Sequence, residues 1–130
     1  LASRLGARLS AVSVLDDRLV RSPSNDGLAP PAFPEADLNA YHRARAEAVA
    51  RRFADRARGE GIEATCDVLQ GSPDDRIVDK IQEADLLLIG RTGTLSGNRG
   101  SLIGATVDSI LRKTNKPTII VPSGAPLTVI

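Results

Sequence analysis

Asp85-Leu86-Leu87-Leu88-Ile89-Gly90-Arg91-Thr92-Gly93 opens the stretch that decides how this chain folds; Gly104-Ala105-Thr106 continues it and Thr118-Ile119-Ile120-Val121-Pro122 closes it. The apolar run Leu86 to Ile89 stops at a glycine. A loop of Gly, Thr, Ser, Asn and Arg follows, then a helical pattern, then a second β-branched run. That order is strand, glycine-rich loop, helix, strand: one right-handed parallel crossover. Neither apolar run alternates with polar residues, which predicts strands buried on both faces.

The loop carries the chemistry. Gly90, Gly93, Gly97 and Gly100 let the backbone turn tightly and approach a ligand without a Cβ in the way. The helix beyond, expected from about Ser101 or Leu102, offers unpaired N–H groups and a positive dipole end, a setting that favours phosphate. Arg91 and Arg99 add cations; Thr92, Thr94, Ser96 and Ser101 add hydroxyl donors. A flexible surface loop is the plainer alternative, but the preceding strand and following helix favour the anion site.

Composition narrows the rest. A chain of 130 residues fits one domain with a core, and a net charge of +1 drives no broad attraction to nucleic acid or membrane. Phe33, Tyr41 and Phe53 are the whole aromatic content, too little for a base-stacking platform. The lone Cys66 lies in a strand pattern and reads as a small buried hydrophobe, pointing to a reducing, cytoplasmic setting. No apolar run approaches a membrane span.

Working outward, Leu1 to Gly6 reads as the last turns of a helix closed by a glycine cap, and a strand follows at about 8 to 15. Residues 17 to 35 pack four prolines among small and polar residues and read as a mobile loop, with a lid or partner-binding arm as the alternative. Ala36 to Arg58 is the longest expected helix, its apolar stripe formed by Ala46, Val49, Ala50, Phe53 and Ala57. Its arginines fit a solvated face better than a phosphate surface, and His42 has no companion ligands at metal spacing.

Gly59 and Gly61 end that helix, and Ile62 to Leu69 reads as a strand. Ser72-Pro73-Asp74-Asp75 then starts another helix: Ser72 caps, Pro73 suits the first position, and the acids favour the positive end. That duty explains Asp74 and Asp75 better than paired catalytic carboxylates do. Ile77, Val78 and Ile81 form its inner face. Ile103, Val107, Ile110, Leu111 and Thr114 trace the inner face of the last helix, which Asn115 would cap and Pro117 would stop.

Together these blocks resemble the universal stress protein family, a branch of the adenine-nucleotide α-hydrolase-like α/β folds. Carrying the resemblance are Leu5-Gly6-Ala7-Arg8-Leu9, Val14-Leu15-Asp16, Gly71-Ser72-Pro73, Ala84 through Gly90, Gly104, Ile110-Leu111-Arg112 and Lys116 through Pro122. The family's nucleotide signature is Gly, two residues, Gly, nine residues, Gly and Ser or Thr. Gly90-Arg91-Thr92-Gly93 supplies its first half. In the second half ten residues, Thr94 to Ile103, separate Gly93 from Gly104, and Ala105 stands at the hydroxyl position. Losing that hydroxyl removes a hydrogen bond worth about 0.5–1.5 kcal/mol net.

The resemblance implies a Rossmann-like open parallel sheet of order 3-2-1-4-5 with helices on both faces, here one universal-stress-type domain over residues 1–126. It implies adenine and ribose contacts at Val14, Ile89 and Gly90, and phosphate contacts at Gly93, Gly104, Ala105 and Thr106. Arg91, Thr92, Arg99 and Ser101 join that set from the loop's own chemistry. ATP or AMP is the implied ligand, with Mg as the ion that would accompany it, and a regulatory stress-response role the implied function. The family's first strand, with its adenine-reading Asp, and part of its first helix have no counterpart after Leu1. Leu127 to Ile130 reads as the opening of a further strand, so a segment of a longer, tandem protein, or strand exchange between chains, is expected.

No general base, Walker lysine or metal-carboxylate set stands in the sequence, so at most slow ATP hydrolysis is expected rather than an enzyme. The alternative is a nucleotide-free dimerisation or partner-binding scaffold. Family resemblance would place its homodimer edge at Thr118, Ile119, Ile120 and Val121.

Overall fold

In the computed structural model the described residues are 2–17, 35–91 and 103–122. They form two compact units, Leu1–Ser72 and Pro73–Ile130, each treated in its own right. The expected loop at 17 to 35 and the expected strand opening at Leu127 to Ile130 fall almost wholly outside the described residues.

The first unit begins with the short helix α1 (Ala2–Leu5), which runs into strand β1 (Leu9–Asp16). Gly6 takes a φ of 60°, and the Ala7 N–H donates to the Ala2 carbonyl at 3.0 Å, the two marks of a left-handed glycine cap. Helix α2 (Glu35–Gly59) then leads to β2 (Ala64–Gly71), which pairs with β1 in parallel, Leu9 opposite Ala64 and Asp16 opposite Gly71. Parallel pairing requires a long crossover, and α2 lies in that connection and packs on both strands. Ala46 and Ala57 are its buried residues. Val49, expected on the same stripe, is 54% exposed. It sits about 60° round the helix from Ala46, at the outer edge of the stripe beyond Phe53 and on the side away from Ala50 and Ala57.

The second unit contains α3 (Pro73–Ile81), β3 (Leu87–Gly90), α4 (Ala105–Lys113) and β4 (Thr118–Val121). Strands β3 and β4 pair in parallel with Leu87 opposite Thr118 and Gly90 opposite Val121, joined through α4 as the crossover reading requires. Helices α3 and α4 pack together, and Ile81, Val107 and Ile110 are buried, Ile110 completely.

Three expectations need correction here. Helix α4 begins at Ala105, not near Ser101. Gly104 has extended backbone (φ −65°, ψ 149°), and its carbonyl accepts the first helical bond from the Asp108 N–H at 3.0 Å. The same helix ends at Lys113. Thr114 is already extended, and its hydroxyl accepts the Lys116 N–H at 3.1 Å, so the stop is built by a threonine turn before Asn115 is reached. Finally, the apolar runs are not buried on both faces. Leu88 and Ile119 stand opposite each other in register and are 47% and 40% exposed, so one face of the β3–β4 pair is open.

The described residues hold two parallel two-stranded sheets, β1–β2 and β3–β4, in an α/β chain. No helix among them is long and apolar enough to cross a membrane.

Candidate functional site

The second unit places the end of β3 beside the start of α4. Strand β3 finishes at Gly90, and the next residue is held twice by its backbone. The Arg91 N–H donates to the Val121 carbonyl at 2.9 Å, and the Arg91 carbonyl accepts the Gly104 N–H at 2.9 Å. The two backbone groups of one residue thus join the C-terminal ends of β3 and β4 to the N-terminus of α4. The twelve residues between Arg91 and Gly104 leave and return at that bond.

The N-cap of this helix is Gly104, which brings no side-chain cap hydrogen bond of its own. The Gly104 N–H is committed to Arg91. The first intrahelical bond is made by Asp108, so the N–H groups of Ala105, Thr106 and Val107 have no acceptor inside the helix. Three adjacent donors at the positive end of a helix dipole suit an oxyanion. Gly104 is buried, Ala105 exposed and Thr106 half-buried, so access is from the Ala105 side. The Arg91 side chain is exposed at the strand end. At the other end of α4, Arg112 and Lys113 complement the dipole, and Arg112 bonds Asp108 one turn back through Nε at 3.0 Å.

Of the residues expected to bind nucleotide, the structure brings Gly90, Arg91, Gly104, Ala105 and Thr106 to this corner. Ile89 lies one residue upstream, half-buried opposite Ile120. Val14 belongs to the first unit, half-buried near the C-terminal end of β1 opposite Leu69. Thr92, Gly93, Arg99 and Ser101 lie outside the described residues. The expected dimer edge is β4 itself, Thr118 to Val121, paired with β3.

Two features were missed in the sequence. One is the Arg91 clasp, which is made by backbone groups and so has no residue signature. The other is a cluster between helices: the Ser109 hydroxyl donates to Asp74 Oδ2 at 2.6 Å, and Lys113 Nζ donates to Asp74 Oδ2 and to Asp75 Oδ1, each at 2.7 Å. Hydrogen bonds to Asp74 and then Asp75 raise the Lys113 pKa above the usual lysine value. The only sequence trace of the cluster is the spacing of Ser109 and Lys113 on one helical stripe. Elsewhere, Cys66 is half-buried rather than fully buried. Burial first, and the neighbouring Asp67 charge second, push its thiol pKa up. His42 meets Tyr41 edge to face with ring centroids 5.5 Å apart. Among the described residues no three metal-ligating side chains converge.

Parallel strands with helical crossovers, and an uncapped helix start at the strand ends, define the class: an α/β domain of Rossmann-like kind. Residues 1–122 match the profile of the Universal stress protein family, and the chain belongs to that family. Solved structures share the fold. Hypothetical protein MJ0577 superposes with a TM-score of 0.72 at 18% identity, covering 92% of this chain and 78% of that one. The universal stress protein UspA from Lactobacillus plantarum gives 0.68 at 22% identity, with 92% and 81% covered. A universal stress protein solved in complex with cAMP gives 0.59 at 24% identity, with 95% and 79% covered. No curated protein matches the sequence.

Proposed function

We propose that this domain binds an adenine nucleotide, ATP or AMP, with the phosphates at the start of α4, and acts as a regulatory stress-response module rather than an enzyme. One observation carries the reading: Gly104 opens α4 without a side-chain cap, leaving the Ala105, Thr106 and Val107 N–H groups without intrahelical acceptors at the C-terminal end of β3. Open α/β sheets place ligands at that end. Membership of the family, and the cAMP held by one structural relative, agree with it.

On this reading Gly104 makes room while its own N–H stays with Arg91. Ala105 and Thr106 supply amides, and the Thr106 hydroxyl and the Arg91 guanidinium supply further donors. The family resemblance would add Thr92, Gly93, Arg99 and Ser101 to the phosphate set and turn Ile89 and Gly90 toward adenine and ribose. Mg would arrive with a triphosphate, held chiefly by phosphate oxygens and water.

Titration calorimetry with ATP and with AMP tests this. Binding is expected in the micromolar range, weakened at least about tenfold by Gly104→Val, which puts a branched side chain at a buried cap. Heats of dilution alone at millimolar nucleotide overturn it. ATP turnover above background, lost in Arg91→Ala, would instead make the domain an enzyme.

A second reading, self-association through β4 without nucleotide, is favoured by Ile119 and Leu88, which present exposed apolar surface side by side.

A further inference from the structure

We infer that Asp74 is a positioning residue for the nucleotide site: by holding Ser109 and Lys113 it fixes the roll of α4, and so the aim of the Ala105–Val107 amides. The inference rests on the nucleotide reading above and adds a control point more than one helical turn away from the ligand.

Position comes first. Ala105, Ser109 and Lys113 are spaced i, i+4, i+8 and fall along one stripe of α4. Asp74 stands in the first turn of α3 and meets two of those three side chains with one oxygen, at 2.6 Å and 2.7 Å. Its side chain is 19% exposed, against 62% for Asp75, so of the two carboxylates it is the one shielded from water. A charge-assisted hydrogen bond gains strength and direction there.

Geometry gives the reason such a tie matters. On its inner side α4 is held by Val107 and Ile110, and apolar packing is non-directional, so it resists separation of the helices more than rotation. Cα atoms lie about 2.3 Å from a helix axis, so a roll of roughly 20° moves each by about 0.8 Å and re-aims the N–H groups by the same angle. Binding constellations lose function when displaced by about 0.5 Å or 10–20°. Two short bonds on one stripe oppose that roll directly. The Arg91 carbonyl holds the Gly104 N–H at the top of the same helix, so α4 is pinned at its start and again along its length.

Simple electrostatics predicts the opposite sign for Asp74. A carboxylate near an anion site repels the ligand, so its removal should tighten binding if charge alone mattered. The positioning role requires its removal to weaken binding.

The experiment compares full-length chains carrying Asp74→Ala, Ser109→Ala, Lys113→Met or Lys113→Arg. ATP affinity is measured by calorimetry well below each melting temperature. Native-state hydrogen exchange is followed without ligand at the Gly104 and Asp108 amides, which are bonded to Arg91 and Gly104 respectively. Asp74→Ala and Ser109→Ala should each weaken ATP by roughly 2- to 30-fold. Both should speed exchange at Gly104 and Asp108, and the double variant should be little weaker than either single one. Lys113→Arg should keep most of the affinity that Lys113→Met loses. Ser109→Ala changes no charge and serves if Asp74→Ala fails to fold. Tighter ATP binding in Asp74→Ala, or unchanged affinity and unchanged exchange in Ser109→Ala, overturns the inference. A wild-type chain that ignores ATP sinks the nucleotide reading instead, while exchange at Gly104 and Asp108 still decides whether the tie controls the helix start.

Discussion

Gly61 shows what a single position can demand. It follows α2 with a φ of 66°, and the Ile62 N–H bonds back to the Ala57 carbonyl at 2.9 Å. No atom lies within 4 Å of where a Cβ would stand, so the backbone alone requires glycine. Gly61→Ala should therefore cost about 1–2 kcal/mol, the penalty for a left-handed L-residue, read as a lowered urea midpoint at unchanged slope. Gly59 carries no such demand, since it remains inside α2, and the sequence could not tell the two apart. Cys66 is a second case. Burial and then Asp67 raise its thiol pKa, so the thiolate is scarce at neutral pH. Alkylation by iodoacetamide should be slow near pH 7.5 and accelerate only above the usual thiol range; fast reaction at neutral pH would contradict the structure. Residue type and strand pattern disclosed that Cys66 lies in β2. They did not disclose that it is half-buried, because exposure depends on neighbours that the local sequence does not name.

At the scale of elements, α4 concentrates both the stability and the proposed chemistry of its unit. Ile110 is fully buried, and Ile110→Ala should cost about 2–5 kcal/mol, with the cavity adding to the lost transfer energy. That value is read from equilibrium unfolding. Ala105→Ser should act differently, leaving stability almost unchanged while restoring a hydroxyl beside the open amides. ATP should then bind up to about tenfold tighter by calorimetry, the equivalent of one hydrogen bond. Lys113 gives the element a pH signature. Its folded pKa is raised by Asp74 and Asp75, so the tie contributes in full below the unfolded lysine value and is lost as pH rises through the higher folded value. The tie's contribution should therefore persist through the ordinary lysine range and fall away only above it. Lys113→Arg, whose guanidinium stays charged, should move that loss to higher pH, read from alkaline unfolding curves of the two proteins. Apolar periodicity at Val107 and Ile110 made this helix readable. Its start was misplaced because Ser101 and Leu102 also fit a helical pattern. Only the extended backbone at Gly104 shows where the turn begins. The Asp74–Ser109–Lys113 contact escaped for another reason: its partners are 35 and 39 residues apart, beyond any local pattern.

For the whole molecule, the succession of strands and helices along the chain was legible because parallel pairing leaves a strong trace: apolar runs, glycine at their ends, and a helix in each connection. The β3–β4 pair follows from that trace, and β1 beside β2 is what the family resemblance implied. Sidedness did not, since a run such as Leu86 to Ile89 reads the same whether one face or both are covered, and Leu88 proved exposed. This difference separates the two functional readings by experiment. A nucleotide-binding module gains stability from ligand by mass action, about 2.7 kcal/mol at a hundredfold excess over Kd, whatever the protein concentration. A scaffold that associates through β4 gains stability from its own concentration and nothing from ATP. Melting curves across a hundredfold range of protein, with and without saturating ATP, should show a rise with ATP and little change with protein. Ile119→Lys, which places a charge in the open apolar face, should leave that ATP-dependent rise intact and reduce any association seen by sedimentation equilibrium. A melting temperature that follows protein concentration, ignores ATP and falls in Ile119→Lys would assign the domain to self-association through β4.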